Sequence, residues 1–334
     1  MNDKIDFVVT WVDGQDPKWL KEKEKYKPKS NEELDKNWND NEIRYRDWNL
    51  LKYWFRGVEK FAPWVNKVYF VTCGQKPDWL NEKNEKLVLV NHKDFIPEKY
   101  LPTFNSNAIE LNIHRIKGLS DKFVLFNDDM YIINKTKPTD FFKNGLPCET
   151  ATSDCVPLEI NVGHSEIPNM KVLNKYYKKR KVQLNNFSKW FNIKYRKHIF
   201  KNIFLFPWDN FTGLYEGHIP SSYIKKYYKE IWEKEYALLD KTCNNKFRTD
   251  EDINHWLIKG FQLCNGDFVP RNPNIGKVFL NPIDPKINEA IIGKKYKMCC
   301  INDAKCKKED YINQKQKLHE SFELILPEKS SFEK

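Results

Sequence analysis

The residues of this chain best placed to do chemistry lie in Phe123-Val124-Leu125-Phe126-Asn127-Asp128-Asp129-Met130-Tyr131-Ile132. A strand-like apolar run delivers two adjacent carboxylates to its end, and apolar residues resume at once. Holding two like charges together away from bulk water is costly unless something positive sits beside them. A hard divalent cation accepts such oxygen ligands. Asp128 and Asp129 are therefore candidate metal ligands. The alternative is a plain turn between two strands, with Asn127 and Asp128 as turn formers.

Elements upstream must carry these acids. Strands are expected at Ile5 to Val12, Lys67 to Thr72, Lys86 to Asn91 and Lys122 to Phe126, each apolar and closed by polar or glycine punctuation. Near-continuous apolar runs suggest strands covered on both faces. A helix is expected from about Asn41 to Phe61, stopped by Pro63, with Leu51, Trp54 and Val58 facing inward. Extending that stripe backward reaches Asp47 and Arg44. A second helix, about Asn107 to Leu119, opens on a capping-box pattern and carries Glu110 and His114 at i, i+4 beside its apolar face. Further helices are expected at Ser221 to Leu239, Thr249 to Leu263 and Tyr311 to Leu324. Strand–helix–strand–strand–helix–strand order implies an α/β layer structure with a mostly parallel sheet. In such sheets ligands bind outside the carboxyl ends of the strands, so Asp13, Gly74, His92 and Asp128-Asp129 should share one edge.

The chain has 334 residues, 40% of them hydrophobic and 15% aromatic, enough for a large core despite a mean hydropathy of -0.75. No run of about 18 apolar residues occurs, so no membrane-spanning helix is expected. Met1-Asn2-Asp3-Lys4 leads straight into a strand and lacks signal-peptide character, which favours the cytoplasm, with the inner face of the membrane as a possible station. The net charge of +11 favours anionic partners. Nucleic acid is disfavoured, because the aromatics sit on core stripes instead of interleaving with Arg on one face. The eight cysteines form no C-x-x-C pair and read as free thiols.

Several stretches together resemble the Stealth proteins, sugar-phosphate transferases of bacterial capsule synthesis related to the catalytic subunit of GlcNAc-1-phosphotransferase. The first signature is similar to Ile5-Asp6-Phe7-Val8-Val9-Thr10-Trp11-Val12-Asp13-Gly14. The second runs through Arg44-Tyr45-Arg46-Asp47, Ala62-Pro63-Trp64-Val65, Val71-Thr72-Cys73-Gly74-Gln75, Leu101-Pro102-Thr103-Phe104-Asn105-Ser106, Ile113-His114-Arg115-Ile116 and Phe126-Asn127-Asp128-Asp129. The third resembles His218-Ile219-Pro220 with Phe247-Arg248-Thr249-Asp250-Glu251-Asp252. The fourth resembles Ile301-Asn302-Asp303 with the closing Pro327 to Glu333.

The resemblance implies a GT-A-like (Rossmann-like) nucleotide-sugar core with helical additions and a divalent metal, Mg2+ or Mn2+, on Asp128 and Asp129. It implies transfer of hexose-1-phosphate from a UDP-sugar such as UDP-GlcNAc to the hydroxyl of a glycan or glycolipid, with release of UMP. The alternative is a glycosyltransferase that moves the sugar alone and releases UDP. His218 is the implied general base and Arg248 a phosphate ligand, with Asp129 completing the catalytic set. Asp13, Arg44, Arg46, Asn105, Ser106, His114 and Asn302 are the implied donor-binding residues. Three parts follow: 1-137 for donor and metal, 138-216 as a basic-aromatic insertion facing the acceptor, and 217-334 completing the site.

Overall fold

A computed structural model describes residues 4–27, 45–156 and 161–334, with side chains from 166 onward in the last stretch. The strands are β1 (Ile5–Thr10), β2 (Val68–Thr72), β3 (Leu87–Asn91), β4 (Lys122–Asn127), β5 (Met130–Ile132), β6 (Phe142–Lys143), β7 (Leu146–Glu149), β8 (Ser221–Ile224), β9 (Val269–Pro270), β10 (Gly276–Phe279) and β11 (Met298–Ile301). The helices used below are α1 (Pro17–Tyr26), α2 (Leu51–Phe61), α3 (Ser106–Asn112), α4 (Ile199–Leu205), α5 (Trp256–Cys264) and α6 (Lys308–Ile325).

The main sheet has the order β3-β2-β1-β4-β8. Its first four strands are parallel, as expected, and β8 runs antiparallel to β4. The register pairs Thr10 with Asn127, so β1 and β4 end level. That alignment brings residues 11–14 beside Asp128-Asp129. Both faces are covered. Phe7 and Val9 pack with Trp54, Phe55 and Phe126 on one side, together with Leu318 and Phe322 of α6. Val8 faces the other side with Leu111, Phe123, Leu125, Ile258 and Phe261. Leu173, Trp190, Tyr195 and Phe211, all within 138-216, join that second core.

A smaller sheet, β10-β11-β5, pairs the C-terminal region with residues 130–132. Asp128 and Asp129 form the turn where the chain leaves the main sheet for this one. The turn and the acidic site are thus one feature.

Four helix expectations change. Ser221 to Leu239 opens as strand β8 and continues as two helices, Lys225–Lys234 and Tyr236–Asn244, and Thr249 to Leu263 is helical only from Trp256. The other two lie nearer the acids. The stripe Leu51, Trp54 and Val58 is buried as expected, but α2 begins only at Leu51. Residues 45–50 are non-helical, and Asn49 has φ 56°. Asp47 therefore reaches inward from an irregular segment, not from a helix turn; its carboxylate accepts the Asn49 N–H at 2.6 Å. Arg44 lies outside the described residues. The second helix starts at Ser106, not Asn107, because the Asn105 side chain caps it by accepting the Asn107 N–H at 3.0 Å. It then tightens to a 3-10 turn over Ile113–Arg115.

Gly14 has a steric reason. A Cβ there would lie 2.3 Å from the Tyr45 carbonyl oxygen and 2.5 Å from its Cβ. The close approach seats the 45–48 segment against the end of β1. Gly14→Ala should push that segment away and cost about 1–3 kcal/mol, the usual scale for overpacking. Urea denaturation of wild type and variant measures it. An unchanged midpoint would mean the 45–48 segment does not pack there.

Candidate active site

The carboxyl edge of the sheet gathers carboxylates from three places. Burial pushes the Asp128 carboxyl up to about 7, and the Asp129 and Asp47 charges add to it. Asp128 is nevertheless solvent-exposed. Exposure together with strong desolvation describes a group on the floor of a cleft, wet at its tip and walled by protein. The Asp47 carboxyl is raised by burial, with the Asp13 charge contributing. Asp13 itself is clamped: Gln75 Oε1 accepts its N–H at 2.9 Å, Gln75 Nε2 donates to its carbonyl at 3.0 Å, and its carboxylate accepts the Gln15 N–H. Asp47 belongs to the Arg44-Tyr45-Arg46-Asp47 stretch and the backward extension of the helix stripe puts it on the inward face, but it is not among the expected site residues.

Asp129 Oδ1 is buried without a hydrogen-bond partner, while Oδ2 lies 3.9 Å from His218 Nε2. Asp129, His218 and Cys300 present ligand-type atoms within 4.8 Å of one another. His218 arrives there because β8 is antiparallel to β4. Ser221 pairs with Leu125, so the loop before β8 lies over the end of β4. His218 has φ 42°, the left-handed region that costs a non-glycine residue about 1–2 kcal/mol. Such strain at a cleft residue fits a side chain held for function. Its ring meets Trp256 edge-on at 6.3 Å.

Two carboxylates sharing a cleft floor, one with an orphaned buried oxygen, fit a divalent cation. The sulfur is a different matter. Burial drives the Cys300 thiol far above its ordinary range, and Asp129 holds the proton on it. Protonated, it is a neutral neighbour of the carboxylate; a cation bound beside it would draw that proton off. Cys300 sits on β11, opposite Met130, and the Ile301 N–H donates to the Asp129 carbonyl at 2.9 Å. In sequence Cys299-Cys300 read as free thiols like the other cysteines; only the β5–β11 pairing brings Cys300 to the acids.

Arg248 comes from a segment docked on the start of α3. Phe104 stacks on Phe247 at 5.4 Å, and the Phe104 N–H donates to the Lys246 carbonyl. Arg248 Nη2 donates to Ser106 Oγ. Among the described residues no carboxylate pairs with Arg248; Asp252 instead takes bonds from Asn105, Asn245 and Thr249. Glu110 of α3 lies in the same group. Burial raises it to about 7, against the pull of Arg248 and Ser106, and Asp129 pushes the same way as burial. Its Oε2 is 3.5 Å from His255 Nε2, whose ring meets Tyr223 OH at 2.5 Å through Nδ1. Burial holds His255 down at about 3, so that contact joins a neutral imidazole to the carboxyl and is not a charged pair. One turn further along α5, Lys259 sits 3.0 Å from Glu216 and 3.3 Å from Glu149. This buried network tethers the loop two residues before His218.

Three implied donor contacts, Asn105, Arg46 and His114, are placed differently. Asn105 is fully buried, and its amide caps α3 and binds Asp252. It builds the platform under Ser106 and Arg248 and does not reach the cleft. Arg46 is committed to Asp303, with Nε to Oδ2 at 2.8 Å, and its guanidinium lies 4.3 Å over the Tyr311 ring. It fastens the C-terminal segment to residues 45–48. Asn302 follows Ile301 and gives its N–H to the Phe279 carbonyl. His114 is turned away, because the 3-10 turn breaks the i, i+4 register with Glu110. It stacks on Tyr228 at 5.4 Å and lines a shallow hollow with Arg115, Lys229 and Trp232.

Burial holds His114 down at about 3, and its Nδ1 has no partner. Its folded pKa lies below the unfolded 6.5, so the unfolded chain binds the proton first as pH falls, and stability drops from about 6.5 downward. His114→Phe keeps the stacking and removes that proton. The variant should resist acid better than wild type, by up to about 1.4 kcal/mol per pH unit below 6.5. Denaturation at pH 5 and pH 8 measures the difference; an equal gap at both would show that His114 is not held neutral.

A separate cavity of about 720 Å³ is lined by Lys143, Lys194, Arg271, Lys295 and Lys297, with Asp140 as its acid. It does not include the cleft carboxylates.

The chain also matches known proteins. Residues 3–31 match the family model "Stealth protein CR1, conserved region 1", and residues 44–149 match "Stealth protein CR2, conserved region 2". A capsular polysaccharide phosphotransferase, WcwK of Streptococcus pneumoniae, is 48% identical over 99% of this chain and 98% of its own length. The receptor polysaccharide phosphotransferase WefC of Streptococcus oralis is 42% identical over 99% of both chains. The exopolysaccharide phosphotransferase cps2G of Lactiplantibacillus plantarum is 39% identical over 99% of this chain and 96% of its own. A sheet edge carrying the signature acids, with His218 and Arg248 folded back over it, and full-length identity at this level have one reading: the chain belongs to the Stealth family and is a phosphotransferase.

Proposed function

We propose that this enzyme transfers hexose-1-phosphate from a nucleoside diphosphate sugar, UDP-GlcNAc or a close analogue, to a glycan hydroxyl in the synthesis of a surface polysaccharide. The observation that carries the reading is the facing pair His218 Nε2 and Asp129 Oδ2, 3.9 Å apart, beside a buried carboxylate oxygen with no partner. Phosphoryl transfer needs positioning and charge neutralisation more than covalent help. The acceptor oxygen attacks the phosphorus nearer the sugar, the pyrophosphate P–O bond breaks, and UMP leaves with the bonding electrons. His218 takes the proton from the acceptor hydroxyl, a role suited to an imidazole. Mg2+ or Mn2+ bound to Asp128 and Asp129 would neutralise the donor phosphates. Arg248, steadied by Ser106, offers a bidentate grip on the transferred phosphate. Asp13, fixed by Gln75 at the end of β1, is assigned to the donor nucleoside, as a GT-A-like sheet would have it. In this reading 1-137 holds donor and metal, 217-334 supplies base and Arg, and 138-216 faces the acceptor.

The test is the released nucleotide. Purified protein with Mg2+, UDP-GlcNAc and a glycan acceptor should yield UMP and a phosphodiester. UDP with no phosphorus in the product would instead identify a glycosyltransferase that moves the sugar alone.

A further inference from the structure

Residues 178–208 carry nine Lys and Arg and no Asp or Glu. The same stretch exposes large apolar side chains: Phe187, Ile193, Phe200, Ile203, Phe204 and Trp208, with Ile193 87% and Phe204 71% exposed. Phe200, Ile203 and Phe204 lie at i, i+3 and i+4 on α4, one face of that helix. Ring contacts gather it into two groups: Phe187 stacks on Phe191 at 4.7 Å and Phe191 meets Phe206 at 5.8 Å, while Phe200 stacks on Phe204 at 6.2 Å. Underneath, Trp190 and Tyr195 are fully buried and anchor the segment to the second core. The segment is therefore a built platform, not a loose tail. Single exposed apolar residues are ordinary, but six large ones within one short, firmly anchored segment mark an interaction surface.

The charges around it choose the partner. Arg180 and Lys201 pair with Asp209 and Asp154. Lys181, Lys194, Arg196 and Lys197 have no carboxylate partner among the described residues. Lys194 also lines the basic cavity, so the positive surface continues past the segment into Lys143 and Lys295. Protein–protein interfaces are depleted in Lys. Interfacial membrane segments instead combine Phe, Trp and Leu with a Lys/Arg-rich rim, since the apolar tips enter the acyl boundary while the cations meet anionic headgroups. Long Lys and Arg stems reach up from such a surface to the headgroups. No helix of the described residues is long and apolar enough to cross a membrane. We propose that the 178–208 platform docks the enzyme on an anionic lipid surface, with Phe200, Phe204 and Ile193 inserted and Arg196 and Lys197 against lipid phosphates. The argument uses this surface alone and is independent of the reaction.

Co-sedimentation with vesicles of phosphatidylcholine, with and without phosphatidylglycerol, tests it. Wild type should bind the phosphatidylglycerol vesicles and release them at high salt. Phe200→Ser with Phe204→Ser should weaken binding roughly tenfold or more, given the apolar area withdrawn. Arg196→Gln with Lys197→Gln should weaken it roughly tenfold on anionic vesicles only. Circular-dichroism melts show whether both variants remain folded. Absence of wild-type binding, or full binding by the Phe200/Phe204 variant, overturns the proposal. So does a wild-type dimer in ultracentrifugation that the same substitutions dissociate while vesicles stay unbound, because the platform would then join two copies of the chain.

Discussion

Asp129→Asn is expected to lower turnover by roughly 10^3-fold or more, the scale of losing several kcal/mol of charge stabilisation. The substitution is isosteric, so the fold should survive. It should even relieve strain at the cleft floor. The Asp129 charge is one of the causes that raise Asp128, after burial. Without it, the Asp128 carboxyl should move back toward its ordinary range. Stability near neutral pH should therefore hold or rise while activity collapses, a signature that separates a functional acid from a structural one. Calorimetric titration with Mn2+ should show weaker binding in parallel. Full activity of Asp129→Asn in the presence of chelator would remove the metal from the mechanism.

His218→Ala should cost about 10^2- to 10^4-fold in transfer, the usual contribution of a positioned base, and leave donor binding nearly unchanged. The left-handed backbone at this position complicates the alanine variant, whose Cβ meets the same steric cost. His218→Asn provides the control, because Asn tolerates that conformation and cannot act as a base. Both variants should bind UDP-GlcNAc like wild type in the presence of metal. A transfer rate equal to wild type in His218→Asn would exclude the base assignment. A loss of donor affinity in both would instead move His218 to the metal or the phosphate.

Local sequence carried the first half of the site well. The apolar runs ending in Asp13 and Asp128-Asp129 form parallel strands whose ends are level, because each strand is buried on both faces and its punctuation falls at the same edge. The inward stripe of α2 was legible for the same reason. Errors arose where the backbone left regular periodicity. The helix assumed from Asn41 does not extend over 45–50, so counting turns gave Asp47 the inward face but the wrong backbone. The change from α to 3-10 geometry at Ile113 shifted His114 out of its helical register with Glu110. Arg46 and Asn105 carry chemistry-bearing side chains that the fold uses as fasteners, one to Asp303 and one to Asp252.

Taken alone, the sequence determined the α/β class, the parallel edge and the pair of acids on it, because hydrophobic periodicity and strand-end punctuation are local properties of a chain. Only the tertiary structure decided which distant groups face those acids. The antiparallel return of β8 places His218 over the end of β4. The docking of Phe247 on Phe104 carries Arg248 to Ser106. The β5–β11 pairing sets the Cys300 thiol against Asp129. Each of these depends on strand direction or on packing between segments more than a hundred residues apart, and no local pattern encodes which long-range partner such a segment will meet.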